Sequence, residues 1–125
     1  MRWDLLPNAI GKHICDEQPI ELYDPSSMRP YTHVSDMRKG LLFALEKAPL
    51  RSILNFAGEN VSKSGLLEQI SNSLQKNPVR VDINKQKKEV RHYSVSSKVV
   101  LSQGFIFENN IQTEFSRWKD IYATN

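Results

Sequence analysis

The sequence predicts an α/β fold. Patterns typical of helices alternate along its 125 residues with short extended segments, an order found in α/β folds. Residues 52–57, S-I-L-N-F-A, form a nearly continuous apolar run, which predicts a buried strand of a parallel sheet. Such a strand needs neighbours on both sides, and few other segments could supply them. We therefore expect a single domain, residues 1–125, that is a piece of a larger sheet.

Composition argues against several classes of protein. The 17 Lys and Arg residues exceed the 14 Asp and Glu residues by three, too few to indicate nucleic-acid binding by themselves. Cys15 is the single cysteine, so we expect neither a disulfide framework nor a cysteine metal site. No apolar run approaches the roughly 20 residues of a membrane span, and the N-terminus lacks the pattern of a signal peptide. We expect a cytoplasmic protein with no membrane partner.

The first third of the chain predicts one helix and two short strands. Residues 3–17 carry apolar side chains at every fourth position, as on one helical face: Leu6, Ile10 and Ile14. Residues 20–23 and 30–34 indicate strands. The segment between them favours a turn through Asp24, Pro25, Ser26 and Ser27.

A second helix is expected next. Ser35 or Asp36 can cap its N-terminus, and the helical pattern runs to about Lys47, before Pro49. The apolar positions of this helix share one face: Met37, Leu41, Ala44, Leu45 and Ala48.

A third helix and a further strand follow the apolar run. Gly58 ends that run and Ser62 can cap the helix. The apolar stripe of this helix comprises Leu66, Leu67, Ile70 and Leu74. Residues 79–83 alternate in polarity, which predicts a strand.

The last third of the chain begins with a basic loop at residues 84–91. Residues 92–95 are expected to be extended, and residues 97–103 to form a small helix that Gly104 ends. A terminal amphipathic helix has its apolar face at Ile111, Phe115, Trp118 and Tyr122.

Several catalytic signatures are missing from the sequence. It contains no G-x-G-x-x-G or Walker loop, no G-x-S-x-G and no Tyr-x-x-x-Lys pair. No group of His, Cys, Asp or Glu has the spacing of metal ligands. We therefore assign no catalytic and no metal-binding residue.

Five sequence blocks nevertheless occur in a familiar order. They are M-R-W-D-L-L-P-N (1–8), P-I-E-L-Y (19–23), R-P-Y-T-H-V-S-D (29–36), I-L-N-F-A-G (53–58) and R-H-Y-S-V-S-S-K-V-V-L-S-Q-G-F (91–105). This order resembles the C-terminal part of the NAD-dependent sugar-nucleotide epimerases and dehydratases, the extended short-chain dehydrogenases/reductases. The resemblance spans residue 1 to about residue 122. The chain departs from the family pattern at residues 104–107, G-F-I-F, and 109–111, N-N-I.

The resemblance implies the C-terminal, substrate-binding lobe of an extended Rossmann-type fold, with short strands and about five helices. The NAD(P)-binding half and the catalytic Tyr-x-x-x-Lys would then be absent, so this chain alone is not expected to bind NAD(P) or to be active. Its implied partners are a nucleoside-diphosphate sugar and a Rossmann half. Without that half, residues 52–57 and the helix at 37–48 should expose apolar surface, and the chain should self-associate.

Four residues become candidate substrate contacts. Arg29 is the best of them, because a guanidinium can bind a diphosphate bidentately; otherwise it is a surface arginine after a turn. The resemblance assigns Asn8, Arg91 and Tyr93 to the same nucleotide. Alternatively, Asn8 is a capping residue, and Arg91 and Tyr93 are a loop charge and a half-buried ring.

Other polar residues have simpler interpretations. His33 shares a strand face with Tyr31, and we expect it to be packed or hydrogen-bonded rather than catalytic. We expect Asp36 to be a helix cap. The loop residues Lys85, Lys87, Lys88 and Arg91 could attract a polyanion, but charged loop residues are usually solvated, and we expect no nucleic-acid partner.

Two functions remain open. The chain can be the substrate-binding part of an epimerase or dehydratase, or a non-enzymatic nucleotide-binding module that pairs with a separate Rossmann chain. The nucleotide sequence upstream of the gene would distinguish them, because a reading frame there with a glycine-rich loop and Tyr-x-x-x-Lys would favour the first.

Overall fold

The computed structural model describes residues 2–47, 51–86 and 91–122, with the backbone alone for 121–122. In these ranges the order of elements is α1 Leu6–Cys15, β1 Ile20–Tyr23, β2 Met28–Tyr31, α2 Val34–Lys47, β3 Glu59–Ser62, α3 Lys63–Leu74, β4 Val81–Asn84, α4 Lys98–Ser102 and α5 Ile111–Tyr122. The predicted α/β fold with about five helices and short strands is confirmed. Predicted features at Ala48, Pro49, Lys87, Lys88 and the Tyr122 side chain lie outside the described residues.

The four strands form two separate two-stranded sheets. β1 and β4 are parallel, with Ile20 opposite Val81. β2 and β3 are antiparallel, with Arg29 opposite Val61. The second pairing explains why β2 begins at Met28, two residues before the predicted start: its register is set by β3, a strand that the sequence pattern did not indicate. Pro30 is tolerated because each strand has a neighbour on one side only in the described chain.

The core lies among α1, α3, α5 and the inward side of β1. Its buried side chains are Ile10, Ile14, Ile20, Leu22, Val61, Leu66, Ile70, Leu74, Ile111, Phe115 and Trp118. The apolar faces predicted for the three helices are therefore confirmed within the described side chains. α1 is shorter than the predicted 3–17 and begins at Leu6, with Pro7 in its first turn, where a missing backbone N–H is harmless.

Ser62 caps α3 as predicted. Its hydroxyl accepts a hydrogen bond from the backbone N–H of Gly65 at 3.0 Å, in the arrangement of a serine N-cap. The two preceding N–H groups of the helix start find tertiary acceptors: Lys63 N donates to Ser27 O and Ser64 N donates to Pro25 O.

The predicted strand at 52–57 was wrong in this structure. The segment has no ladder partner among the described residues, and Ile53 is 88% exposed. The hydroxyl groups of Ser97 and Thr32 hold the C-terminal end of the segment instead. The Ser97 hydroxyl accepts from Ala57 N at 2.7 Å, and the Thr32 hydroxyl donates to Phe56 O at 2.8 Å. A strand needs a neighbouring strand, and the described chain places none beside this run.

Helix α2 turns its apolar stripe outward. We name Val34, Met37, Leu41, Leu42 and Leu45 the α2 apolar face; all five are exposed, Leu45 to 77%. The opposite side of the helix packs through Gly40, whose Cα lies so close to the Phe56 ring that a Cβ would meet ring carbon at 2.8 Å. The exposed apolar surface expected at 37–48 and at 52–57 is thus confirmed for the described residues. An apolar stripe normally faces a core, and this one is exposed in the described chain.

We predict that Gly11→Ala destabilises the protein although alanine favours helices. A Cβ at Gly11 would lie 2.4 Å from Phe115 Cε1 and 2.9 Å from Trp118 Cζ3. The overpacking cost of about 1–3 kcal/mol should exceed a helix-propensity gain of about 1 kcal/mol. Urea denaturation measures the difference. Combining the change with Phe115→Leu should restore part of the loss, and strict additivity of the two changes would contradict the packing explanation.

Candidate ligand-binding cleft

A cleft of about 940 Å³ lies between β1, β2, the start of α1 and the start of α5. All four predicted substrate contacts line it: Asn8, Arg29, Arg91 and Tyr93. They come from three segments that are distant in the sequence. The structure therefore brings the candidate residues together in one concave surface, which is the usual shape of a small-molecule site.

The pairing of β2 with the segment after residue 91 brings Arg29 and Tyr93 together. Tyr93 N donates to Met28 O at 3.3 Å, and Met28 N donates to His92 Nδ1 at 3.1 Å. These bonds place the guanidinium carbon of Arg29 5.4 Å from the centroid of the Tyr93 ring. That distance is typical of a cation–π contact, which orients the guanidinium plane.

Asn8 has a structural partner as well as a place in the cleft. Its Nδ2 donates to the backbone carbonyl of Arg2 at 2.9 Å, which holds the N-terminal segment against the first turn of α1. The amide nitrogen is thereby engaged, whereas the side-chain oxygen is a distinct acceptor. Asn8 thus holds the N-terminal segment and also lines the cleft.

Lys63 is a cleft residue that the sequence reasoning missed. It is only 3% exposed, its Nζ donates to Tyr23 O at 2.8 Å, and its Nζ lies 3.5 Å from the centroid of the Tyr23 ring. In the sequence it is an ordinary lysine at the first position of a helix. Its burial depends on the turn before β2, since Lys63 N donates to Ser27 O at 3.2 Å. No local pattern signals this contact.

Asp36 is not the helix cap that we predicted. α2 begins two residues earlier, at Val34, and the fully buried Asp36 carboxylate instead binds the segment before α5. It accepts from Glu108 N at 3.1 Å, from Asn109 N at 3.0 Å and from Asn109 Nδ2 at 3.2 Å. The backbone N–H groups of Glu108 and Asn109 lie in a partly buried place and need an acceptor, which explains the difference.

The Asp36 carboxyl stays ionised in spite of its burial. Burial raises its pKa by penalising the charged form, but the hydrogen bonds from Glu108 and Asn109 lower it, and so does the ammonium of Lys39. The net effect is a pKa below the ordinary value of 3.8. Ionised Asp36 therefore stabilises the start of α5, where Asn109 and Asn110 line the cleft.

His33 is hydrogen-bonded, as predicted. Its Nδ1 accepts from Ser35 N at 3.2 Å, and its Nε2 lies 3.3 Å from Glu114 Oε2 on α5. An accepting Nδ1 leaves the proton on Nε2, which faces Glu114. Both side chains line the cleft, so this pair joins the end of β2 to α5 across one wall.

Several cationic side chains line the cleft. Arg29, Arg91 and Lys63 supply cationic groups, and arginine is well matched to phosphate oxygens. Among the described residues, no group of His, Cys, Asp or Glu could hold a metal ion. Within the same ranges, no helix has the length and apolarity that crossing a membrane would need.

Comparisons with known sequences and with solved structures differ in outcome. The sequence matches no family model, and no curated protein matches it. Its fold, by contrast, matches solved structures closely. RMD from Pseudomonas aeruginosa, complexed with NADPH, has a TM-score of 0.79 at 15% identity, covering 99% of this chain and 44% of RMD.

Two further structures share the fold. The dTDP-glucose 4,6-dehydratase of Bacillus anthracis, in complex with NAD, has a TM-score of 0.77 at 16% identity, covering 100% of this chain and 41% of the dehydratase. The UDP-glucuronic acid 4-epimerase of Bacillus cereus, in complex with UDP-glucuronic acid and NAD, has a TM-score of 0.74 at 16% identity. The match covers 99% of this chain and 41% of the epimerase. The chain thus has the fold of part of the NAD-dependent sugar-nucleotide epimerases and dehydratases, and it spans less than half the length of these proteins.

We predict that Asp36→Asn destabilises the protein by about 1.5–3 kcal/mol at pH 7, the scale of hydrogen bonds to a charged group. One acceptor oxygen becomes an NH₂ group that faces a backbone donor. Because the folded-state pKa is lowered, the contribution of Asp36 is complete above pH 3.8 and is lost as the pH falls through the folded-state pKa. Urea denaturation at several pH values should show the wild-type advantage shrinking in acid.

A surface carboxylate provides the control for this change. Asp82 is exposed and pairs with Arg80, so Asp82→Asn should change the free energy of unfolding by less than about 0.5 kcal/mol. A difference between wild type and Asp36→Asn that does not vary with pH would contradict the role given to the ionised carboxylate.

Proposed function

We propose that this chain, as a single unit, is the substrate-binding portion of an NAD-dependent sugar-nucleotide epimerase or dehydratase. Its cleft would hold a nucleoside-diphosphate sugar. The observation that carries the proposal is the convergence of Asn8, Arg29, Arg91 and Tyr93 on one cleft, in a fold shared with enzymes such as the UDP-glucuronic acid 4-epimerase, which was solved with its nucleotide sugar.

Arg29 is the proposed centre of the diphosphate clamp. The face of the Tyr93 ring orients its guanidinium, so less side-chain entropy is lost when a planar, bidentate pair forms with phosphate oxygens. Arg91 adds a second positive charge at the same cleft. Binding energy from the diphosphate would then align the sugar for reaction elsewhere in the assembly.

The residues of this chain do not fit NAD(P). Three of its five glycines lie inside helices, at Gly11, Gly40 and Gly65, and none belongs to a phosphate-binding glycine loop. When bound in such enzymes, the cofactor accepts or donates hydride. We assign this chain no step of that chemistry, and we propose that it is inactive alone.

The α2 apolar face is the proposed contact with a Rossmann half. More than half of each solved neighbour lies outside the region that this chain matches. The exposed stripe on α2 and the unpaired run containing Ile53 both need cover. The Rossmann half can belong to the same polypeptide or to a separate chain. The second arrangement corresponds to an accessory module, and the same exposed face supports it.

We predict that Arg29→Ala weakens binding of a nucleoside-diphosphate sugar by about 1.5–3 kcal/mol, the scale of a charged hydrogen bond. Isothermal titration calorimetry, or NMR titration for weak binding, measures the change. Arg80→Ala is the matched control, because Arg80 is an exposed arginine paired with Asp82 on the outside of β4. Equal affinity of wild type and Arg29→Ala would reject the clamp.

We also predict that the isolated chain self-associates or binds a hydrophobic dye through the α2 apolar face. Leu41→Lys with Leu45→Lys should reduce both effects, while the free energy of unfolding changes little because both side chains are exposed. Light scattering and dye fluorescence measure this. Leu101→Lys, at an exposed leucine on α4, is the control. A dye-silent, monodisperse wild-type monomer would contradict the prediction.

A further inference from the structure

The segment that carries two of the cleft residues has no regular secondary structure. Residues 91–97 belong to no helix and to neither of the two sheets that the described strands form, yet Arg91 and Tyr93 line the cleft. A segment outside the regular ladders takes its position from individual contacts. The contacts of residues 91–97 therefore decide where the Tyr93 ring lies relative to Arg29.

The Asn60 side chain holds this segment through a pair of hydrogen bonds. Asn60 Nδ2 donates to Val95 O at 2.9 Å, and Asn60 Oδ1 accepts from Val95 N at 2.8 Å. These are the two bonds that a residue of a neighbouring strand exchanges with its partner in an antiparallel ladder. The amide side chain thus replaces a peptide group for Val95, and only Ser94 separates Val95 from Tyr93.

The same asparagine is connected to Arg29 through the backbone. Asn60 lies on β3 opposite Pro30 of β2, and Pro30 directly follows Arg29 in the chain. Asn60 therefore joins the strand that carries Arg29 to the segment that carries Tyr93. These two clamp residues also contact each other, with the guanidinium carbon of Arg29 5.4 Å from the centroid of the Tyr93 ring.

Asn60 differs from the contacts that hold the two ends of the segment. The Ser97 hydroxyl binds the backbone N–H and carbonyl of Ala57 in a buried place, and residues 92–93 are joined to Met28. Asn60 is exposed and lies outside the described lining of the cleft. A change at Asn60 can therefore shift the Tyr93 ring without removing a buried group or a group that faces the ligand.

We propose that Asn60 is a positioning residue of the diphosphate clamp. It fixes Val95, and through Val95 the Tyr93 ring, at the place where the ring orients the Arg29 guanidinium. A guanidinium that is oriented in advance loses less side-chain entropy when it forms a bidentate pair with phosphate oxygens. The inference rests on the proposed function, since it assumes that a diphosphate binds at Arg29.

Titration of the chain with UDP and with inorganic pyrophosphate tests this role. Asn60→Ala should weaken binding of both probes by about three- to tenfold, the scale of a net hydrogen-bond contribution, because both probes carry a diphosphate. Asn72→Ala is the matched control, since Asn72 is an exposed asparagine on α3, and it should bind both probes as the wild type does.

Each other outcome of the titration has a defined meaning. Equal affinities of wild type and Asn60→Ala overturn the positioning role and leave the proposed function standing. A loss confined to UDP also overturns the role, because Asn60 would then act on the nucleoside and not on the diphosphate. A wild type that binds neither probe up to millimolar concentration overturns the role and the proposed function together.

A second background separates positioning from a general loss of structure. Tyr93→Leu removes the ring that Asn60 positions but keeps Arg29 and Arg91. Adding Asn60→Ala to Tyr93→Leu should therefore change the UDP affinity by less than about twofold, since residues that act through one another are not additive. The same three- to tenfold loss in both backgrounds would overturn the route through Tyr93.

Amide hydrogen exchange followed by NMR gives a readout that needs no ligand. The Tyr93 N–H donates to Met28 O, and in Asn60→Ala it should exchange at least about threefold faster, because the segment opens locally. The N–H of the fully buried Ile70 on α3 should keep its wild-type rate. Unchanged exchange at Tyr93, or an equal acceleration at both amides, would overturn the proposal.

Discussion

The buried carboxylate of Asp36 fixes the relation between two parts of the chain that are 72 residues apart. It accepts hydrogen bonds from two backbone N–H groups of the segment before α5, in a partly buried place where losing an acceptor costs free energy. Because α5 begins immediately afterwards and its Glu114 meets His33, this contact sets the position of the α5 wall relative to β2. The width of the cleft depends on that spacing, and so does the geometry of any ligand between Arg29 and α5.

Apolar helix stripes of similar character lie in opposite environments. Those of α1, α3 and α5 form the core, whereas the α2 apolar face is exposed. Helical periodicity indicates that a helix has an apolar stripe, but it does not indicate which element the stripe packs against. The chain matches about two fifths of each solved neighbour, and cover for the α2 apolar face and for residues 52–57 by a further unit is part of the proposed function.

Sequence reasoning was most accurate where the interactions are local. The stripes of three core helices, the Ser62 cap and the strand at residues 20–23 follow from patterns within a few residues. It failed where a residue's role depends on distant backbone. Lys63 is buried beside the turn before β2, and Asp36 binds the segment before α5 instead of capping its own helix. Residues 52–57 have no neighbouring strand within the described part of the chain, although their composition suits one.

The sequence by itself determined the α/β class, the faces of the core helices and, through five ordered blocks, the identity of four candidate ligand contacts. Only the tertiary structure decided that these four residues share one cleft, that Lys63 joins them, and that α2 faces outward. The physical reason is the range of the interactions. Periodicity and capping act within one or two helical turns, whereas the bond from Tyr93 N to Met28 O joins segments whose proximity no local pattern encodes.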